Sequence, residues 1–176
     1  MATTSKKAQD TTQKMYSVKC KGGVVVKVPE KIIRQSQLLH NMIVLSDDKD
    51  SMLNVSQVDS KVLKSIITFL EPYQNEKPYK PAKDYRVQIS PRDDQFLANF
   101  NGNQLVELLN TANYLSVYRL IDAGCLRIRG MIENRTAEEI RHILQLPDDL
   151  TDEEKREIER VYVDPEQPST SSTFFP

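Results

Sequence analysis

The sequence is poor in the residues that metal sites and nucleophilic catalysis require. Only two histidines, His40 and His142, and two cysteines, Cys20 and Cys125, occur in 176 residues. The histidines fall in different halves of the chain, and nothing at metal-ligand spacing joins either one. Gly22-Gly23 sits between two strand-like runs and lacks the downstream Lys-Ser/Thr of a phosphate loop. There is no Gly-x-Ser-x-Gly, and neither cysteine has a local setting that would lower its pKa. The two cysteines, far apart and each near apolar neighbours, read as buried thiols of a reducing compartment rather than as a disulfide. These shortages argue against an enzyme, a resident metal and a cofactor.

Neither sign of charge dominates. Lys+Arg (24) and Asp+Glu (25) leave a net charge of −1, without the basic excess of a nucleic-acid binder. No apolar run approaches the ~18 residues of a membrane span. The opening Met-Ala-Thr-Thr-Ser-Lys-Lys lacks the apolar core of a signal peptide. A soluble intracellular protein is expected. Hydrophobic residues make up 39% of the chain and the mean hydropathy is −0.52, so part of the length should be tail or exposed loop. Residues 1–14 and 164–176 are too polar to order themselves.

What is present is a clear change of period along the chain. Tyr16, Val18 and Cys20 alternate with polar residues as in a half-buried strand. Lys21-Gly22-Gly23 allows a tight turn, and Val24–Val28 supplies the returning strand. Pro29 suits a first helical position, and Ile32, Ile33, Leu39 and Met42 give the following segment a helical apolar face. A solvated loop at 47–50 precedes a short third strand at Met52–Val55. From Asp59, residues Val62, Leu63, Ile66, Ile67, Phe69 and Leu70 mark a helix ending before Pro72. Residues 73–89 form a proline-broken, charged connector.

Helices fill the second half. Ser90-Pro91 pairs a capping residue with a proline suited to the first turn, and Phe96, Leu97 and Phe100 follow. Leu105, Leu108, Leu109 and Ala112 form one stripe; Val117, Leu120, Ile121, Leu126 and Ile128 form the next. Thr136-Ala-Glu-Glu139 and Thr151-Asp-Glu-Glu154 are capping boxes, in which the hydroxyl and the carboxylate satisfy each other's helix-start amides. The layout predicts an α+β protein: a small sheet with helices, then a helical extension.

Other charged features have ordinary readings. Lys27 lies between Val26 and Val28, but strand alternation turns it to the opposite face. Arg127-Ile-Arg129 reads as a solvated helix face. The acids from 148 to 159 lack a calcium-loop pattern and suit helix starts. Less ordinary is the break Asn110-Thr-Ala-Asn-Tyr-Leu-Ser-Val-Tyr118, with two amides and two phenols between helical stripes. Either Tyr114 packs inward while Asn113 ends a helix, or the pair faces a partner. Likewise Met131, Ile140, Ile143, Leu144, Ile158, Val161 and Tyr162 are more apolar surface than two short helices bury against each other. Some should cap the α/β module and some should await a partner.

The string Leu105-Val-Glu-Leu-Leu-Asn-Thr-Ala-Asn-Tyr-Leu115, with Leu120-Ile-Asp122, Met131-Ile132, Arg135-Thr-Ala-Glu-Glu-Ile-Arg141 and Asp149-Leu-Thr-Asp-Glu-Glu154, resembles the core of the Skp-type adaptors. Those proteins join F-box proteins to a cullin in SCF ubiquitin ligases. The likeness runs over roughly residues 15–162, more loosely before residue 105. It implies a BTB/POZ fold at 15–132, with F-box-binding helices at 133–163, no catalytic site and no cofactor. Its implied cullin-facing residues are Asn113, Tyr114 and Leu115. Its implied F-box face is Met131, Ile140, Ile143, Leu144, Ile158, Val161 and Tyr162. It further implies a cytoplasmic and nuclear location, and it permits a homodimer; a self-associating scaffold of the same fold is the alternative role. The chain departs from that pattern in four places, one of them an apparent extra residue before Asn101-Gly102. Arg92-Asp93 stands where Trp-Asp is usual, and Arg119 stands where a small residue is usual, on the implied cullin side. Val161-Tyr-Val-Asp-Pro165 replaces a Trp-Cys-acidic ending and leaves Tyr162 as its aromatic.

Overall fold

The computed structural model describes residues 14–46, 52–81 and 88–162. The expected disordered ends (Lys14 excepted) and the loop at 47–50 lie outside the described residues. Alternation of apolar side chains produces the sheet as expected. Strand β1 (Met15–Lys19) pairs antiparallel with β2 (Val25–Pro29), with Tyr16 opposite Val28 and Val18 opposite Val26, and all four side chains are buried. Between them the chain reverses through a tight 3-10 turn at Lys21–Gly23, where Gly22 (φ 69°) and Gly23 (φ 78°) take the left-handed conformation that glycine adopts at no steric cost. Strand β3 (Leu53–Asn54) is shorter than expected and runs parallel to β1, giving the order β2-β1-β3. Lys27 faces outward and its ammonium donates to Ser17 Oγ at 2.7 Å, as the alternation requires.

The segment after β2 differs from expectation. Pro29 ends the strand, and the helical face is divided into α1 (Glu30–Ile33) and α2 (Gln37–Val44). The divider is Ser36. It is buried, its hydroxyl oxygen accepts from the Leu39 amide at 3.2 Å, and its hydroxyl donates to the Leu115 carbonyl at 2.6 Å. A serine holding both bonds starts a new helix in a new direction.

Helix α3 (Ser60–Leu70) begins at Asp59, which accepts from the Lys61 amide, and it buries Leu63, Ile66, Phe69 and Leu70. A 3-10 turn, Glu71–Tyr73, follows it. Here the expected connector proves to be part of the packed structure. Tyr73 is buried and its hydroxyl donates to Asp93 Oδ1 at 2.6 Å. Tyr79 donates to Asp122 Oδ2 at 2.9 Å. Between them the Arg119 guanidinium lies 3.9 Å from the Tyr73 ring centre and 4.8 Å from that of Tyr79, and it pairs with Glu76. Buried Gln35 donates to the carbonyls of Tyr73 and Glu76. Residues 82–87 of the connector lie outside the described residues.

Helix α4 (Pro91–Leu97) starts at Ser90, whose hydroxyl accepts from the Asp93 amide. Asp93, beside the Arg92 that stands in place of tryptophan, is turned inward to Tyr73. Phe69, Phe96 and Phe100 pack in a row with tilted rings, their centroids 5.4 and 5.3 Å apart. Helices α5 (Gly102–Tyr114) and α6 (Tyr118–Ile132) then pack through Leu105, Leu108, Ala112, Leu120 and Ala123. The start of α5 is a capping box formed by Asn101 and Gln104, a pattern not singled out in the sequence. Helices α7 (Ala137–Leu144) and α8 (Asp152–Tyr162) start at the two predicted boxes, with Thr136 and Thr151 each exchanging bonds with the glutamate three residues on. Cys20 is buried, and burial together with the Asp59 carboxylate holds its thiol above the ordinary range. Cys125, expected to be buried as well, is exposed on α6.

Helices α5 and α7 end without glycine. After α5, Ser116 (φ 55°) is left-handed, with the Val117 amide bonded to the Ala112 carbonyl and the Ser116 amide to the Asn113 carbonyl. After α7, Gln145 (φ 55°) repeats the arrangement, with Leu146 bonded to Arg141 and Gln145 to His142. Both are Schellman endings, in which a side chain at the left-handed position costs about 1 kcal/mol. Gln145 is exposed. Gln145→Gly is therefore expected to raise stability by about 0.5–1 kcal/mol, measured as an upward shift of the urea midpoint at constant slope.

The Tyr79 bond yields a second prediction. Burial, then the hydrogen bond and charge of Asp122, hold the Tyr79 phenol above its ordinary value of 10.0. The unfolded chain then loses this proton first, so the stabilisation is complete below about pH 10 and declines as pH rises through the raised folded value. Tyr79→Phe should cost about 1 kcal/mol at pH 8, and urea titrations repeated at rising alkaline pH should show its gap from wild type closing.

Candidate partner-docking surfaces

The break at the end of α5 separates the three residues that the resemblance groups together. Asn113 and Tyr114 point outward, and Tyr114 is 41% exposed. Leu115 is 0% exposed, which corrects its assignment to the contact surface. Its side chain belongs to the core, and its carbonyl accepts from Ser36 Oγ and from the Leu38 amide. Helical spacing causes the division, because Leu115 continues the buried stripe of Leu108 and Ala112 while Tyr114 falls on the opposite, outer face.

Tyr114 continues a stripe that sequence reading passed over. Val106, Asn110 and Tyr114, each four residues apart, are all exposed and share the outer face of α5. With Lys21, Gln57 and Asp59 from the turns beside the sheet, they line an open groove of about 480 Å³. The spacing of 106, 110 and 114 was the available signal, outweighed by the stronger apolar stripe of Leu105, Leu108, Leu109 and Ala112. Arg119, which the resemblance places on this side, does not project into the groove. It is held between Tyr73 and Tyr79, on the connector side of the α5–α6 junction.

The second apolar surface is on α7 and α8. Not one residue of α7 is buried. Ile140, Ile143 and Leu144 are half-buried, Leu146 is 50% exposed and Ile158 is 43% exposed. Met131 differs: it packs against the core from α6, on the side of the residues expected to cap the module. Val161 and Tyr162 lie on the last turn of α8, and their side chains lie outside those described. Asp148, between the helices, pairs with Arg141 of α7 at 3.4 Å and with Lys155 of α8, an ionic link between the two helices. Asp148 is held below the ordinary carboxylate range, chiefly by the Lys155 hydrogen bond.

Gly102 couples this surface to α5. A Cβ at residue 102 would come within 2.7 Å of the Ile143 carbonyl oxygen and 2.8 Å of Leu144 Cα, both backbone atoms that cannot swing aside. The end of α7 rests on the start of α5 because residue 102 has no side chain.

The candidates for chemistry stay apart. His40 and His142 are exposed on different helices, and no group of three His, Cys, Asp or Glu among the described residues is placed to hold a metal ion. Arg127 pairs with Asp94 at 2.8 Å and Arg129 lies 3.9 Å from Glu133, a helix face neutralised by local acids. No helix among the described residues is long and apolar enough to cross a membrane.

With the sheet, the α5 break and the terminal helix pair in place, comparison with known proteins is decisive. Residues 17–75 match the Skp1 family tetramerisation domain and residues 118–163 match the Skp1 family dimerisation domain. An S-phase kinase-associated protein 1 homolog of Tetrahymena thermophila is 30% identical over 139 residues, covering 76% of this chain and 83% of the relative. The chain belongs to the Skp1 family. Subunits of this family described as the E3 ubiquitin ligase complex SCF subunit sconC are similarly related. The one from Arthroderma benhamiae is 29% identical over 142 residues (78% of this chain, 87% of the relative), and that from Aspergillus flavus is 30% identical over the same length (78% and 88%). The two matched domains flank the α5 break, so Asn113 and Tyr114 of this Skp1-family chain lie between them.

Gly102→Ala tests the coupling of α7 to α5. The variant should lose about 1–3 kcal/mol of local stability, seen as faster amide exchange across α7 with α5 and α6 still protected.

Proposed function

We propose that this chain is a non-catalytic adaptor that links a cullin scaffold to F-box substrate receptors in an SCF-type ubiquitin ligase, acting in the cytoplasm and nucleus. The observation that carries the reading is the pair of open surfaces borne on one rigid core. The outer face of α5, with Asn113 and Tyr114, lies at one end. The α7–α8 surface, with Ile140, Ile143, Leu144 and Ile158, lies at the other.

The chemistry suits the two tasks. Tyr114 offers a large rigid contact at small entropic cost, beside Asn113 and Asn110, whose amides can satisfy backbone groups of a partner helix. Leu115 supports this face from within and makes no contact of its own. The α7–α8 surface is aliphatic with charges at its margin (Arg141, Asp148, Lys155), which suits a partner that inserts an apolar helix face. In this reading the sheet and helices through residue 132 form the scaffold-binding unit and the helices from 133 form the receptor-binding unit. The names of the SCF subunits among the relatives support the assignment.

The alternative, a self-associating scaffold of the same fold, has one point in its favour. The two matched family domains carry the descriptions dimerisation and tetramerisation. The readings part on one experiment. Asn113→Lys with Tyr114→Lys places two cations on the outer face without touching the core. It should lower co-purification with a cullin at least tenfold while leaving the circular dichroism spectrum and melting temperature unchanged. A double variant that still binds a cullin normally refutes the site; wild-type protein that self-associates and captures no cullin supports the scaffold.

A further inference from the structure

Strand β2 is a free edge of the sheet, since β1 lies between it and β3. The register fixes which of its backbone groups face outward. Continued beyond the strand ends, it sets Cys20 opposite Val24 and Lys14 opposite Glu30. The Cys20 amide donates to the Val24 carbonyl at 2.8 Å, and the Glu30 amide to the Lys14 carbonyl at 2.9 Å. Bonded pairs recur at every second residue of an antiparallel ladder, so Val26 and Val28 bond to β1 whereas Val25 and Lys27 do not. The amides and carbonyls of Val25 and Lys27 therefore point away from the sheet, and no other backbone bond among the described residues engages them. Pro29 has no amide, which ends the run.

The side chains along this edge are exposed and carry one sign of charge. Val24 and Val25 are 46% and 47% exposed, and Lys27 is exposed beside them. From residue 11 to residue 29 the only charged residues are Lys14, Lys19, Lys21 and Lys27. Among the described residues no carboxylate pairs with Lys19, Lys21 or Lys27, and Lys27 donates only to Ser17 Oγ. Asp59, which lines the α5 groove with Lys21, caps α3.

Such an edge selects its partner. Two copies joined through it, with Val25 and Lys27 both bonded within the strands, would bring their Lys27 ammonium groups opposite or diagonal to each other, which opposes self-pairing. A strand with an acid facing Lys27 and a β-branched residue facing Val25 meets the same edge with opposite charge and matched apolar area. In the antiparallel direction those residues follow the order acid, any residue, β-branched residue.

We propose that the β2 edge takes up an acidic extended segment of a partner protein as a fourth strand, antiparallel to β2, with Val25 and Lys27 supplying the backbone bonds. Strand β2 belongs to neither surface of the adaptor reading, so this site stands or falls independently of it.

The probe is the synthetic peptide Thr-Glu-Thr-Val-Thr-Glu-Thr, blocked at both ends and added at up to about 1 mM to isotope-labelled full-length protein. The NMR signals of the Val25 and Lys27 amides should shift and their hydrogen exchange should slow several-fold, with α7 and α8 unchanged. A peptide with Lys in place of each Glu should bind at least tenfold more weakly. So should the original peptide N-methylated at its Val, the amide that would donate to the Val25 carbonyl. The variant Lys27→Glu should reverse the preference between the acidic and the basic peptide. No response at Val25 and Lys27 overturns the proposal. Equal binding of the N-methylated peptide also overturns it, because the contact is then charge attraction without strand pairing, and equal binding of the basic peptide refutes the acidic selection. If both amides are already protected in the free protein, the edge is covered by this chain or a second copy, and the proposal fails.

Discussion

The Leu115 carbonyl accepts one hydrogen bond from Ser36 Oγ at 2.6 Å and another from the Leu38 amide at 3.3 Å. Through it the start of α2, in the sheet-bearing half, is joined to the end of α5, in the helical half. The Gln37 amide adds a bond to the Ser116 carbonyl. Ser36 and Leu115 are buried and Leu38 and Ser116 half-buried, where unpaired backbone atoms would be costly, so the junction has one satisfied arrangement. That arrangement includes a left-handed Ser116, which ends α5 and holds Leu115 inside. By fixing the rotation of α5, the junction also keeps the outer face with Tyr114 exposed.

A second set of contacts supports the junction from the other side. Tyr73, Glu76 and Tyr79 close on Arg119, in the first turn of α6, while Gln35 binds two carbonyls of the same stretch. Each contact is modest alone, with a cation–π interaction worth about 0.5–2 kcal/mol, but they meet at one side chain. Arg119 therefore replaces the small residue usual in the resembling proteins with a structural role, and the Arg92 guanidinium, in place of tryptophan, lies 5.7 Å from the centre of the same Tyr73 ring. Both departures rest on the same aromatic cluster.

The parts of the fold legible in the sequence are those written in local chemistry. The alternation at 16–20 and 24–28, the apolar face of 62–70 and the threonine boxes at 136 and 151 each specify an element within a few residues. The misread parts depend on partners distant in sequence. Ser36 looks like one polar position on a helical face until Leu115 is beside it. Tyr73 and Tyr79 look like connector until Asp93, Arg119 and Asp122 close on them. Helix ends were harder still, because Ser116 and Gln145 stand where glycine normally signals a left-handed turn. At the candidate site, Asn113 and Tyr114 were legible as a pair, whereas the burial of Leu115 and the exposure of Val106 depend on rotation about α5, which spacing alone left open by one position.

Helix α5 has one end fixed in each of the two surfaces. Gly102 receives the backbone of α7, and Tyr114, twelve residues on, stands at the outer face. At 1.5 Å per residue the two points are about 18 Å apart on a straight rod. Whatever is held at one surface is thereby set at a fixed distance and angle from whatever is held at the other. A single residue inserted in that rod would lengthen it by only 1.5 Å but would rotate the far end by about 100°. Orientation between the two bound molecules is therefore more sensitive to the length of α5 than separation is.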